Sequence, residues 1–294
     1  MAITINTNLS SLITQRNLDK ATKLLNSAIE RMTTGSKINR AADNAAGFSI
    51  ARKWEVQLSS LDVAADNAAS GADMLTTLED NYALVSSHVQ RIRDLTEQAA
   101  NGTYGDESKT AIQAEITSRL EEIDRIAASC EFNGKNLMDS TTSGVSIQVG
   151  LGKDEHSRIS LDDTLFADSK VISLFNLTEG STDAEKIENF AKKCAGKVAT
   201  AGSTAKDMLT TIDSALTTIS GKVTKIGAAQ NRIESAMESI AVQYENVTSS
   251  LSTIKDADVA KESAKYIKAQ ILQQAAATLL STANQSPSIA LQLI

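Results

Sequence analysis

The chain has 294 residues, a net charge of −7 and a sequence pI near 5.0. It contains no basic run and no basic patch interleaved with aromatic residues, which argues against nucleic acid as a partner, and no stretch approaches the roughly 18–20 apolar residues that span a bilayer. Hydrophobic residues make up 41% and aromatic residues 3% of the chain, so a core must consist of small and medium aliphatic side chains. Such a composition suits slender helical bundles.

The first predicted element is an amphipathic helix over residues 8–34. Its apolar positions step by three and four, as in a coiled-coil seam, and they are Leu18, Ala21, Leu25, Ala28 and Met32. Thr7 or Asn8 can cap its start, and Gly35 ends it. Residues 1–8 show no basic segment followed by an apolar one, so we expect no cleaved signal peptide.

A much longer helix is predicted to open at Asp43, with an apolar stripe from Phe48 to Leu95. At about 1.5 Å per residue it would extend for roughly 80 Å. The sequence 101–105 is a turn, and a third helix is predicted over 106–129 with Ile112, Ile116, Leu120, Ile123 and Ala127 inward.

From Val145 the period of the apolar pattern changes to two, which predicts one β-hairpin over about 143–162. Val145, Ile147 and Val149 alternate with polar residues on its first strand. Residues 163–182 are mixed and polar, and form a short variable segment.

The last part of the chain carries the longest apolar stripe, from Ile187 to Ile254, with one stutter and breaks plausible near 180–203. A final helix is predicted over about 256–284, ending at the only proline, Pro287. Its stripe consists of Ala264, Ile267, Ile271, Ala275 and Leu279. The apolar tail that follows consists of Ile289, Leu291, Leu293 and Ile294.

The elements predict a mainly α fold: a long antiparallel helical rod or coiled coil with one small β-hairpin, both termini pairing in a terminal coiled coil. Residues 1–42 and 255–294 would form the terminal domain, and residues 43–254 the helical rod. Chain ends with apolar seams are expected to pair with each other, with other copies, or with both.

Residues that could carry chemistry are few. His88 and His156 lack partners at metal-ligand spacing, and Cys130 and Cys194 are interpreted as structural residues and are too few for a disulfide framework. We expect no catalytic residue, metal or cofactor. Gln230, which interrupts the long seam, is either a surface polar residue or one that fixes the register.

Several motifs resemble bacterial flagellin, the subunit of the flagellar filament. They lie in residues 2–8, 29–47, 90–101, 112–134, 227–232 and 283–287, and they include Ala41-Ala-Asp-Asn-Ala-Ala-Gly47 and Gly227-Ala-Ala-Gln-Asn-Arg232. The resemblance covers about 1–150 and 220–294 and leaves the middle unmatched.

The resemblance implies an inner terminal coiled coil (D0) of residues 1–42 with 255–294 and an adjoining rod (D1) of residues 43–254, with no full outer domain. The seam residues of the first and last helices would then serve D0 assembly.

The resemblance also implies an extracellular homopolymer for motility, whose terminal helices order on assembly. Its partners would be the filament cap, the hook-associated junction proteins, an export chaperone and the flagellar type III apparatus. In the family, the surface matching Arg91, Leu95 and Glu115 is recognised by the innate receptor TLR5.

The sequence leaves three other functions open. A hook–filament junction protein of the same family shares the terminal helices. An enzyme displayed on a filament would need a catalytic insertion, for which residues 140–200 are too short. A soluble coiled-coil adhesin would form a discrete oligomer instead of a filament.

Overall fold

The computed structural model describes residues 8–139, 144–178, 180–197 and 205–292. Within these residues the protein is mainly α-helical, which confirms the predicted fold class. The helices are α1 (Leu9–Thr34), α2 (Ala45–Ala100), α3 (Asp106–Ser129), α4 (Val171–Leu174), α5 (Asp183–Cys194), α6 (Ala205–Lys255) and α7 (Val259–Gln292). The predicted cap Thr7, the predicted hairpin start at 143, and Leu293 and Ile294 lie outside the described residues.

Local chemistry fixes the helix ends. At the start of α1, Asn8 Oδ1 accepts a hydrogen bond from the backbone N–H of Ser11 at 3.0 Å, and at its end Gly35 adopts φ 67°. Only glycine takes this left-handed conformation without steric cost, so it is the usual residue after the last helical turn. Helix α3 carries Asp106 and Glu107 in its first turn, where carboxylates complement the helix dipole.

Two short antiparallel hairpins lie between α3 and α4. Strands β1 (Glu131–Phe132) and β2 (Lys135–Asn136) are joined by Asn133 and Gly134, both at positive φ. Strands β3 (Ser146–Gln148) and β4 (Arg158–Ser160) pair with Ile147 opposite Ile159, both buried. The second hairpin is the predicted one, whereas the two-residue strands of the first are too short to show alternation in the sequence.

The chain forms two compact units, Ser60–Gln243 and Met1–Ser59 with Tyr244–Ile294. The Ser60–Gln243 unit has one main core, in which the predicted stripes of α2, α3 and α6 are buried. Its fully buried side chains include Leu75, Leu78, Tyr82, Ile92, Ile116, Leu120, Ile123, Ile212, Ile226 and Ile233. The assignment of 1–42 with 255–294 and of 43–254 to two filament domains remains a prediction, since both units include parts of α2 and α6.

The segment 163–197 adds to this core, although residues 163–182 show no clear apolar periodicity. A short turn of 3₁₀ helix (Asp163–Leu165) and α4 bring Phe166, Val171 and Phe175 into it, and the rings of Phe175 and Phe190 lie 4.9 Å apart. Helix α5 is separate from α6, so the stripe that starts at Ile187 is not one continuous helix. Three of the five phenylalanines, Phe166, Phe175 and Phe190, are therefore buried in the core. A mostly polar segment can contribute to a core through a few large rings.

The predicted end of the last helix at Pro287 is wrong. Helix α7 continues through Pro287 to Gln292. Proline removes one backbone donor from the helical ladder, but residues on both sides of it can keep their own hydrogen bonds. None of the helices, over the residues described, is long and apolar enough to cross a membrane.

Candidate assembly surface

The two terminal helices pair antiparallel along a narrow seam of alanines. Ala21 and Ala28 of α1 and Ala269 and Ala276 of α7 are at most 7% exposed. Within each helix the two alanines are seven positions apart, which is two turns. Alanine side chains let helix backbones approach closely, but each buries little apolar area, so the seam itself contributes modest stabilisation.

Polar contacts set the register of this pair. Asn8 Nδ2 donates to the carbonyl of Ala283 at 2.7 Å, and Ser11 Oγ donates to Asn284 Oδ1 at 2.7 Å. In the middle, Gln273 Nε2 donates to Thr22 Oγ1 at 3.1 Å.

At the other end of the pair, Glu262 is 5% exposed as a residue and lies 3.7 Å from Arg31 and 2.7 Å from Lys265. A sliding of one helix along the other would leave this buried carboxylate without Arg31. The polar layers therefore specify one alignment of α1 with α7.

The large aliphatic side chains of α1 and α7 point away from the seam. Ten of them are 42–66% exposed: Leu9, Leu12, Ile13, Leu24, Ile29, Val259, Ile267, Ile271, Leu272 and Leu279. A soluble helix pair normally buries such residues and exposes alanine, so the burial pattern is inverted. Exposed apolar groups at this density mark a surface that binds another protein.

The predicted seam residues are partly buried on α1 but exposed on α7. On α1, Ala21 and Ala28 are buried and Leu18, Leu25 and Met32 are half-buried. On α7 all five predicted residues are exposed: Ala264, Ile267, Ile271, Ala275 and Leu279. The seam of α7 instead follows Glu262, Ala269 and Ala276, because close helix packing selects small side chains over bulky ones. The role of all ten residues in assembly remains a prediction.

The signal for the true seam is present in the sequence. Alanines seven positions apart occur on both helices, together with a glutamate and a glutamine at compatible spacings. The predicted stripe of α1 already contains Ala21 and Ala28. Hydrophobicity alone missed Ala269 and Ala276 on α7, because the large aliphatic residues of that helix have the stronger apolar signal.

The two breaks that precede α2 and α7 are joined to each other. Lys37 N donates to the carbonyl of Lys255 at 2.7 Å, and Ala257 N donates to the carbonyl of Gly35 at 2.8 Å, which makes an isolated antiparallel bridge. The buried Ser36 hydroxyl also donates to Lys255 O at 3.0 Å. These bonds satisfy backbone groups that each helix end would leave without partners.

The turn before α2 shows what Asp43, Asn44 and Gly47 of the flagellin-like motif at residues 41–47 do in the structure. The carboxylate of Asp43 accepts backbone hydrogen bonds from Asn39 and Arg40, which lower the pKa of Asp43. Asn44 Oδ1 accepts from Gly47 N at 2.9 Å. A Cβ at Gly47 would lie 2.8 Å from Ile38 Cδ1 and 2.9 Å from Asn44 Nδ2, so any larger residue would displace these two side chains.

The residues predicted for the innate-receptor surface are not equally accessible. Arg91 on α2 and Glu115 on α3 form an exposed ion pair at 3.0 Å, and Arg119 is 3.8 Å from the same carboxylate. Leu95 is 2% exposed and belongs to the core. The Leu95 side chain therefore lies beneath this surface, because it belongs to the inward-facing apolar stripe of α2. Recognition of this surface by TLR5 remains a prediction.

The titratable groups of the core are in structural positions. Burial raises the pKa of Cys130 to about 11 and of Cys194 to about 12, so both thiols are protonated at neutral pH. Gln230 Nε2 donates to Glu79 at 2.9 Å, which links α6 to α2 and agrees with the register hypothesis without testing it. Among the described residues, no cluster of three or more His, Cys, Asp or Glu side chains could hold a metal ion.

Comparison with protein families gives one match in each half of the chain. The bacterial flagellin N-terminal helical region matches residues 5–143, and the bacterial flagellin C-terminal helical region matches residues 209–294.

Curated relatives match over the full length. The chain is 34% identical to a flagellin of Xenorhabdus nematophila and 30% identical to the polar flagellin F of Vibrio parahaemolyticus serotype O3:K6, with 100% of each chain covered. It is 32% identical to a flagellin of Listeria monocytogenes, with 99% of each covered.

A solved structure shares the fold at low identity. A putative flagellar hook-associated protein from Vibrio parahaemolyticus superposes with a TM-score of 0.60 and 14% identity over 73% of this chain and 100% of that one. Both terminal family regions and the full-length relatives agree, and the chain belongs to the bacterial flagellin family.

Proposed function

We propose that this chain is a structural subunit that polymerises into the bacterial flagellar filament and thereby serves motility. The observation that carries the proposal is the inverted burial of α1 and α7, with alanines in the seam and ten large aliphatic side chains outside. Family membership supports a filament subunit, and the hook–filament junction alternative is not favoured because the full-length relatives are flagellins.

The energetics support terminal helices that order on assembly. Burying a large aliphatic side chain contributes about 1.5–3 kcal/mol, so burial of the remaining exposed area of ten half-exposed chains would contribute on the order of 10 kcal/mol per subunit before ordering costs. In an isolated chain that gain is absent, and only the alanine seam and a few polar contacts hold the pair. We infer that neighbouring copies supply the missing burial.

The same proposal assigns D0 to residues 1–42 with 255–294 and D1 to residues 43–254. Its partners are other copies of the chain, the filament cap, hook-associated junction proteins, an export chaperone and the type III export apparatus, and the site of action is extracellular. TLR5 is a further proposed partner at Arg91 and Glu115. No catalytic role is proposed, since a structural polymer explains the family and the surface.

Seeded polymerisation tests the function. Purified chain is added to short filament fragments and followed by light scattering and electron microscopy; we expect long helical filaments. A discrete oligomer would instead indicate a soluble adhesin, and a limited number of copies at filament ends would indicate a junction protein.

A truncation tests the role of the chain end. Deletion of residues 285–294 should leave the Ser60–Gln243 unit folded, as measured by cooperative thermal unfolding, but should abolish filament growth. Normal filaments from the truncated chain would contradict the proposal that the terminal helices drive assembly.

A further inference from the structure

One side of the α1–α7 pair is both apolar and positively charged. Two adjoining pockets of about 310 and 320 Å³ lie on that side and share Leu24 and Leu272. We call it the basic side, and the residues that define it are Lys20, Leu24, Lys265, Lys268, Leu272 and Leu279.

The spacing of the cationic residues places them on this side. On α7, Lys261, Lys265 and Lys268 step by four and three, which keeps them on one face of the helix. The opposite side of the pair is marked by the hydrogen bond from Gln273 to Thr22, and by helical spacing it carries no lysine or arginine of α1 or α7. The charge of the pair is therefore asymmetric about the alanine seam.

The charge of the terminal helices is also opposite to that of the chain. Helices α1 and α7 contain seven Lys or Arg and three Asp or Glu, a net charge of +4, whereas the whole chain carries −7, which leaves −11 for all other residues. Among the described residues, Glu262 is paired with Arg31 and Lys265, but Lys20 and Lys268 have no acidic partner. An anionic surface is therefore attracted to the basic side more strongly than to the rest of the chain.

The apolar part of the basic side consists of exposed leucines between these lysines. Leu24 is 59%, Leu272 44% and Leu279 61% exposed. Helices that lie in the interface of a membrane combine leucines on one side with lysines at its edge. A lysine there can bury its aliphatic stem beside the leucines while its ammonium group stays among the lipid headgroups.

We propose that the basic side binds the surface of an anionic lipid bilayer. The lysines contact the headgroups, and the three leucines enter the boundary between the headgroups and the acyl chains, so the helix pair lies on the bilayer and does not span it. The proposal concerns the unassembled chain and does not depend on the proposed polymer function. In that state the lipid covers apolar side chains that neighbouring copies would cover in a filament.

Vesicle flotation of the full chain, without filament seeds, tests the proposal. Phosphatidylcholine vesicles with about 30% phosphatidylserine are compared with vesicles of phosphatidylcholine alone. We expect the chain to bind the mixed vesicles at least roughly tenfold more tightly, and about 1 M NaCl should remove the difference because it screens the charges.

Two variants separate the electrostatic and the apolar contributions. K20Q/K268Q leaves the Glu262 ion pairs intact and should weaken binding to the mixed vesicles roughly thirtyfold, since each basic residue near an anionic membrane contributes about fivefold. L272Q/L279Q replaces two exposed side chains outside the alanine seam and should weaken binding by roughly tenfold or more.

The matched control is K206Q/R232Q, which removes the same number of charges at exposed positions of α6. Its affinity for the mixed vesicles should stay within about twofold of the wild type, because the proposed contact is confined to the terminal pair. Circular dichroism and thermal unfolding of every variant establish that it is folded before binding is compared.

Several outcomes would overturn the proposal. The lipid interaction is wrong if the wild type does not bind the mixed vesicles, or binds both kinds of vesicle equally. The basic side is not the site if K20Q/K268Q binds like the wild type, or if the control loses as much affinity. Unchanged lipid binding by K20Q/K268Q together with slower seeded elongation would make the basic side an interface between copies. Failure of the wild type to elongate seeds would refute only the polymer function.

Discussion

Asn8 and Ala283 are 275 positions apart in the chain, yet the side-chain amide of Asn8 donates a hydrogen bond of 2.7 Å to the carbonyl of Ala283. This bond aligns the start of α1 with the end of α7, and Thr22–Gln273 and Arg31–Glu262 continue the alignment. Between these polar layers the buried apolar residues of the two helices are all alanines. The closeness of the two helices is therefore the property to test.

Replacing Ala276 by leucine should disrupt the terminal pair. The side chain is 7% exposed in the seam, and overpacking of a close contact costs about 1–3 kcal/mol. The critical concentration for seeded polymerisation should accordingly rise by roughly five- to a hundredfold. Ala277→Leu, at the adjacent exposed position, is the control and should leave it within about threefold; equal effects of both variants would contradict a close-packed seam.

Replacing Gly71 by alanine should destabilise the Ser60–Gln243 unit. A Cβ at this position would collide with the side chain of Ile147 on β3, so this buried side chain, helix α2 or the hairpin must shift. We expect a loss of about 1–3 kcal/mol in the free energy of unfolding.

Gly221→Ala provides the comparison within α6. Its Cβ would meet nothing within 4 Å, so it should stabilise the protein by about 0.5–1 kcal/mol through helix propensity. Urea denaturation of both variants measures the difference, and stabilisation by Gly71→Ala would show that the hairpin does not approach α2 this closely.

The contribution of Lys222 to the free energy of unfolding should increase with pH in the alkaline range. Its ammonium donates to Ser169 Oγ at 2.8 Å, Ala167 O at 3.0 Å and Tyr82 Oη at 3.1 Å, but burial lowers its pKa from 10.5 to about 8. Between about pH 8 and 10.5 the unfolded state binds more protons at this site than the folded state, so its contribution to the unfolding free energy rises with pH.

Comparison of the wild type with Lys222→Met isolates this contribution. Burial raises the pKa of both cysteines, which lowers stability at high pH in both proteins alike. Burial also raises the pKa of Tyr82, which Lys222 contacts, to about 12, and the titration of this tyrosine begins to affect stability only near pH 10. The wild-type advantage over the variant should grow by on the order of 1–2 kcal/mol between pH 7 and 10 in urea titrations. An advantage that shrinks over this interval would show that Lys222 is not desolvated.

Arg91 and Leu95 should respond differently in a receptor assay. Arg91→Ala removes an exposed ion pair, for which we expect a stability change below about 1 kcal/mol, and it should weaken TLR5 signalling if this surface is recognised. Leu95→Ala empties a core position and should cost about 2–5 kcal/mol in unfolding free energy. Unchanged signalling by a folded Arg91→Ala protein would remove this residue from the proposed receptor surface.

The long helices, the hairpin near Ile147 and Ile159, and the inward stripes from Leu75 to Ile92 and from Ile212 to Ile233 could all be predicted from the chain, because helical and strand periods are local properties. The motifs were also sufficient to indicate the family. The face of α7 that meets α1 could not be predicted from periodicity, since Ala269 and Ala276 rather than Ile267 and Ile271 are buried there.

The physical reason is that periodicity shows that a helix has an apolar stripe but not which partner covers it. Here the partner within the chain requires small side chains and a close approach, and the large side chains stay exposed. The same limit applies to Phe166 and Phe175, whose burial depends on a segment without periodicity that packs on a core formed by distant helices.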